Sequence, residues 1–216
     1  MALEVPEGVT LYFARHGQTE ANVDKRFQGQ TIDTPLTENG VRQAYDLGKI
    51  LRADAPEFAA LDFVCSPLER AQATMELVRD ALDLPIDGFR TDSRLIEIDL
   101  GLWDGLTAAE AERGYPKVYA ARAGDKWNVR PPGSRENYAA VAARMADFVN
   151  SLACDTFAVS HGAATRILRG LFAGMAWQQM SDLDEPQGCV FRVRGSDVVR
   201  LDAEAGMPAP PARGPS

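Results

Sequence analysis

Apolar and polar positions along this chain follow two periods, and the switch from one to the other marks its elements. Val9-Thr10-Leu11-Tyr12-Phe13 is a β-prone run leading straight into Arg15, His16 and Gly17, the pattern of a buried strand that stops abruptly. A polar stretch over residues 18–34 follows. Val41, Ala44, Leu47 and Leu51 then recur at helical spacing behind Thr37, a side chain suited to cap a helix N-terminus. Residues 62–66 form a second short strand, closed by Pro67. Leu68, Ala71, Met75, Val78 and Leu82 make the stripe of a second helix, with Arg70 in its first turn.

Residues 84–105 are turn-rich and hold at most a short strand at 88–91, and 94–104 reads as an ordered loop carrying Glu97, Asp99 and Asp104. Thr107 caps a short helix that Gly114-Tyr115-Pro116 ends. The aromatic-bearing residues 115–130 show no clear period, and a lid is one reading of them. From Ser134 onward, Tyr138, Val141, Met145, Phe148 and Leu152 give the cleanest helical stripe in the chain. Thr156-Phe157-Ala158-Val159-Ser160-His161-Gly162 then repeats the strand-His-Gly arrangement of the first run, with a helix expected over 163–172. Residues 190–193 and 198–201 flank Gly195-Ser196-Asp197, a closing hairpin. Strands alternating with helices predict a three-layer α/β fold with a largely parallel sheet. We expect one domain over 1–202 and a disordered Ala/Pro/Gly-rich tail over 203–216.

Composition narrows the function classes. The 216 residues are 45% hydrophobic, enough for a sizeable core, and the net charge is −8 with no basic stretch longer than a pair. That balance argues against nucleic acid or an anionic membrane as partner. No apolar stretch approaches the ~18 residues of a membrane span. The first seven residues lack the basic and apolar regions of a signal peptide. Cys65, Cys154 and Cys189 are odd in number and have no metal spacing, which reads as free thiols in a reducing cytoplasm. Homo-oligomerisation is left open.

The two histidines of the chain both sit at Gly-terminated strand ends, where ligands bind in open α/β sheets. Neutral imidazole is a competent nucleophile near pH 7, its ordinary pKa being about 6.5. Neighbouring guanidinium groups disfavour its protonation and bind phosphate in a planar fork. Two arginines and two histidines converging at strand ends therefore describe a phosphoryl-transfer site. The chain has no Gly-x-Ser-x-Gly elbow, P-loop or dinucleotide fingerprint, so a serine-hydrolase triad and a bound nucleotide cofactor are not expected. Neither is a metal, because two histidines do not suffice for a zinc site.

Five motifs in order now carry a resemblance: Arg15-His16-Gly17-Gln18-Thr19-Glu20 with Asn22; Phe27-Gln28-Gly29 with Thr34-Pro35-Leu36-Thr37; Ser66-Pro67-Leu68-Glu69-Arg70-Ala71; Leu95-Ile96-Glu97-Ile98-Asp99 with Gly101, Trp103 and Gly105; and Ser160-His161-Gly162. The chain resembles the histidine phosphatase superfamily, in its phosphoglycerate mutase-like branch. That resemblance implies a six-stranded mixed sheet with one antiparallel strand and a metal-independent site without cofactor. It implies His16 as the phosphorylated nucleophile, with Arg15, Arg70 and His161 binding the phosphoryl group. Gly17, Asn22, Gln28, Gly29 and Gly162 would border the substrate, a small phosphorylated metabolite, and Glu97 would be the general acid. Glu136 competes for that last role, because members often carry Gly-Glu in a substrate-facing loop where this chain has Ser134-Arg135-Glu136-Asn137. Arg166 reads as structural, one helical turn beyond His161.

The same site can hydrolyse a monoester or move phosphate between two hydroxyls. Mutases of the branch place Tyr and Lys three and eleven residues beyond the acid, where this chain has Leu100 and Ala108. The paired arginines that such mutases carry in the middle insertion are also missing, Lys126 and Arg130 being the cations nearest the prolines. The expectation is therefore a phosphatase, with phosphoglycerate mutase-type transfer and a non-catalytic phosphate-binding protein as the alternatives.

Overall fold

A computed structural model describes residues 2–203. The expected tail lies, from residue 204 onward, outside the described residues. Strand β1 (Thr10–Arg15) is followed by a single-turn helix α1 (Glu20–Val23), then α2 (Glu38–Asp54), β2 (Asp62–Cys65), α3 (Glu69–Ala81) and β3 (Arg90–Thr91). Helices α4 (Ala108–Gly114), α5 (Pro116–Gly124) and α6 (Tyr138–Asn150) lead to β4 (Thr156–Ser160), α7 (Gly162–Phe172), α8 (Trp177–Met180) and the hairpin β5 (Cys189–Arg194) and β6 (Asp197–Asp202).

The six strands form one sheet in the order β3-β2-β4-β1-β5-β6. β3, β2, β4 and β1 pair in parallel, while β5 pairs antiparallel with both β1 and β6. One strand of six thus runs against the others, as the resemblance implied. Side-chain alternation along β1 sorts the core into two clusters. Leu11 and Phe13 join α6 and α7 on one face, and Tyr12 and Ala14 join α2 and α3 on the other. The central strands β1, β2 and β4 are buried on both faces, which is why they read as continuous apolar runs rather than alternating ones.

Local chemistry explains most boundaries. Thr37 accepts from the Gly40 amide and Thr107 from the Glu110 amide, each opening its helix as expected, a cap worth ~1 kcal/mol. The helix expected from Ser134 begins later, because Asn137 caps it by accepting from the Ala140 amide. Residues 115–130 are not formless: Pro116 ends α4 but also opens α5 as its first residue, where a missing N–H is no loss. Helix α1 lies within the stretch 18–34 whose sequence predicts only a polar loop. Thr19 and Asn22 cap it reciprocally, a short-range device without hydrophobic period.

Candidate active site

Strand pairing alone brings the expected residues together. In the β1–β4 register Arg15 lies opposite Ser160, and the His16 amide donates to the Ser160 carbonyl at 2.9 Å. The next residues, His16 and His161, are therefore neighbours, with ring centroids 5.1 Å apart. On the other side of β4, the Ser66 amide donates to the Val159 carbonyl. This places the first turn of α3, and so Arg70, beside both rings. Gly17 permits the turn out of β1: a Cβ there would lie 2.4 Å from the Gly40 carbonyl oxygen, so α2 packs backbone to backbone against the strand end.

Both rings are buried, and their chemistry follows from that. A carbonyl can only accept, so the 2.8 Å contact between His16 Nδ1 and the Gly17 oxygen makes Nδ1 the protonated nitrogen and leaves the Nε2 lone pair free. Burial, then Arg15, then Arg70 hold the His16 pKa well below the ordinary imidazole value, and burial followed by Arg70 does the same for His161. His161 has neither ring nitrogen hydrogen-bonded among the described residues. Arg70, 1% exposed, donates to the Gly29 carbonyl at 2.8 Å and pairs with Asp33 at 3.0 Å, while its Nε has no partner among the described residues.

Glu97 lies at the N-terminus of α7. Its oxygens accept from the Ala163, Ala164 and Ile98 amides, yet burial and then the Glu185 charge raise its pKa above the ordinary carboxylate range. Glu136 is engaged elsewhere. It pairs with Arg144 at 2.9 Å and accepts from the Asp99 amide, bracing the loop behind Glu97.

A cavity of about 500 Å³ opens from the strand ends and is lined by Arg15, His16, Asn22, Gln28 and Glu97 among the expected residues. Gly29 and Gly162 sit just behind that lining. The Gly29 amide donates to Asp104, and a Cβ on Gly162 would meet the Glu185 carboxylate at 2.6 Å. Arg166 lines the cavity too, pairing with Glu185 at 3.0 Å and donating to the Tyr138 hydroxyl.

The pattern of the sequence passed over residues 181–188, which cross the site. Arg15 donates to the Glu185 carbonyl at 2.7 Å, and Gln187 donates to the His16 carbonyl and to Asn22 Oδ1. The segment has no period to read, and its contacts lie some 165–171 positions away in sequence. No group of three or more His, Cys, Asp or Glu among the described residues is placed to hold a metal ion. No helix among them is long and apolar enough to cross a membrane.

Comparison with known proteins meets this geometry. The family model of the histidine phosphatase superfamily (branch 1) matches residues 11–198. A 6-phosphofructo-2-kinase/fructose-2,6-bisphosphatase of Caenorhabditis elegans is 30% identical over 91% of this chain, which spans only 42% of that protein. The adenosylcobalamin/alpha-ribazole phosphatase of Escherichia coli K12 is 30% identical, covering 83% of this chain and 86% of its own. Among solved structures, a mycobacterial glucosyl-3-phosphoglycerate phosphatase in complex with VO3 superposes with a TM-score of 0.70 at 30% identity, covering 90% of this chain and 97% of its own.

Proposed function

The chain belongs to the histidine phosphatase superfamily, branch 1, and we propose that it hydrolyses small-molecule phosphate monoesters through a phosphohistidine on His16. One observation carries the reading: two buried neutral imidazoles 5.1 Å apart at adjacent strand ends, one with its Nδ1 tied down and its Nε2 free. His16 Nε2 attacks phosphorus, and Arg15, Arg70 and His161 offset the charge of the transferring group. Glu97 protonates the leaving oxygen, and water then releases phosphate from His16. Gly17, Asn22, Gln28, Gly29 and Gly162 shape the substrate wall. Glu97 is preferred to Glu136 as the acid because it lines the cavity with a raised pKa, whereas Glu136 braces Arg144.

The cavity holds more cations than residues 115–130 promised, so a shortage of them no longer weighs against mutase-type transfer. The phosphatase reading rests on the relatives, named as phosphatases of three different alcohols. Their variety leaves the substrate of this chain to be found by a metabolite screen. We read the reaction as independent of metal and the protein as cytoplasmic, in keeping with three free cysteines.

Rapid quench with labelled substrate should trap an acid-labile, base-stable phosphoprotein that His16→Ala cannot form, with activity persisting in EDTA. Undiminished turnover by His16→Ala would sink the assignment.

A further inference from the structure

Arg70 is held by a single stretch of chain without helix or strand, residues 28–33. A guanidinium carries five N–H groups in a rigid plane. Here Nη1 donates to the Ile32 carbonyl at 3.3 Å and to Asp33 Oδ1 at 3.0 Å, while Nη2 donates to the Gly29 carbonyl at 2.8 Å and the Gln28 carbonyl at 3.5 Å. All the terminal hydrogens are thus spent on this loop. Nε keeps the one donor without a partner among the described residues, as do both ring nitrogens of His161. A guanidinium gripped in this way goes where the loop goes.

The loop in turn is fixed by Asp104. Its Oδ1 accepts from the Gly29 amide at 2.7 Å, and its Oδ2 accepts from the Thr31 amide and hydroxyl, each at 2.7 Å, and from the Ile32 amide at 3.3 Å. Backbone bonds beside it, from the Gly105 amide to the Phe27 carbonyl and from the Phe27 amide to the Leu106 carbonyl, dock the start of the loop on the same segment. Gly29 and Ile32 therefore serve two masters: their amides bind Asp104, and their carbonyls bind Arg70. Four donors on two oxygens suit an ionised carboxylate, which only accepts. An amide in its place would turn an NH2 toward one set of donors or the other.

We propose that Asp104 is a positioning residue for phosphoryl transfer: acting through residues 28–33, it sets the Arg70 guanidinium so that the one unspent N–H meets the transferring group. The inference rests on the reading of Arg70 as a phosphoryl-binding residue and adds what holds that arginine in place. Asp104 does not line the cavity, so its influence is carried by the loop. Charge and position predict opposite signs for its removal. Losing a carboxylate near a cation strengthens that cation's pull on an anion. Losing the anchor of the loop lets the guanidinium drift, and a displacement of about 1 Å can cost ~10²-fold in rate.

A double-mutant cycle of Asp104→Asn with Arg70→Ala tests this, read on folded variants by kcat/KM for nitrophenyl and alkyl phosphates and by inhibition with orthophosphate. Asp104→Asn should lower kcat/KM about tenfold or more. The loss should be equal for the two esters, because Arg70 acts on the phosphoryl group and not on the leaving oxygen, and orthophosphate should bind more weakly. In the Arg70→Ala background, itself slowed ~10²-fold or more, the same change should cost less than about twofold, since coupled residues are not additive. Thr31→Val removes only the hydroxyl bond to Asp104, at an exposed residue. It should give a smaller loss of the same kind, and it carries the cycle if Asp104→Asn does not fold. Additive losses or tighter orthophosphate binding would overturn the positioning role. So would a loss confined to alkyl esters, which would mean that Asp104 acts on Glu97 within its own loop. Unchanged turnover by Arg70→Ala would instead remove Arg70 from the phosphatase reading, and this inference with it.

Discussion

On the proposed mechanism, Glu97 is the residue whose single proton decides the chemistry. An alkyl phosphate expels a strongly basic alkoxide and needs a proton donor, whereas a nitrophenyl phosphate expels a weakly basic phenolate and does not. Glu97→Gln keeps the shape and the hydrogen bonds but has no acid proton. It should slow alkyl phosphate hydrolysis by ~10²–10⁴-fold, the usual worth of general acid catalysis, while sparing much of the nitrophenyl rate. Because burial and Glu185 raise the Glu97 pKa, its deprotonation should set the alkaline limb of the pH profile for alkyl substrates if it is the acid, and the variant should lack that limb. Equal slowing of both substrates would make Glu97 a binding residue. From residue pattern alone it is one carboxylate among several, and only the resemblance gives it the role of acid; what the structure adds is its place at the amides of α7.

The element that the sequence concealed is the segment over 181–188. Glu185 sets a carboxylate between Arg15 and Arg166, at 3.9 and 3.0 Å, so an incoming phosphoryl group meets a resident anion. The shorter hold on Arg15 is through the Glu185 main-chain oxygen, at 2.7 Å, and survives Glu185→Gln. We therefore expect that variant to bind orthophosphate several-fold more tightly, on the scale of ~1 kcal/mol for a partly solvated charge. Its alkaline limb should also move to lower pH, since Glu97 loses a negative neighbour. Inhibition constants and pH profiles check both, and weaker phosphate binding by a folded variant would mean that the carboxylate only braces the arginines. By contrast, α2, α3, α6 and α7 were legible because each buries one apolar stripe, whereas α1 and α5 rest on capping and a proline, signals too short for periodicity to show.

For the whole molecule, two buried histidines couple stability to pH. His16 and His161 are 3% and 0% exposed, with pKa values held well below the ordinary one, chiefly by burial. Below about 6.5 the unfolded chain protonates both while the fold resists, so stability falls as pH drops from there toward the folded-state values. Glu97, with its raised pKa, has the opposite sign and loses stability as pH rises through the carboxylate range. Two depressed groups against one raised should still lower Tm between about pH 6.5 and 5.5, and His161→Asn should flatten that slope in scanning calorimetry. A Tm that rises over this interval would mean that the rings take up protons in the folded state.

The sequence by itself determined the strands, the stripe-bearing helices and the strand-end positions of Arg15, His16 and His161, because these follow from local periodicity and from the short reach of backbone geometry. Only the tertiary structure decided that β4 lies between β1 and β2, and that order is what sets His161 beside His16 and Arg70. It also decided between Glu97 and Glu136 as cavity residues, and it brought Glu185 and Gln187 to the site. Glu185 and Gln187 reach Arg15, His16 and Asn22 across 165–171 positions of chain, which no local pattern encodes.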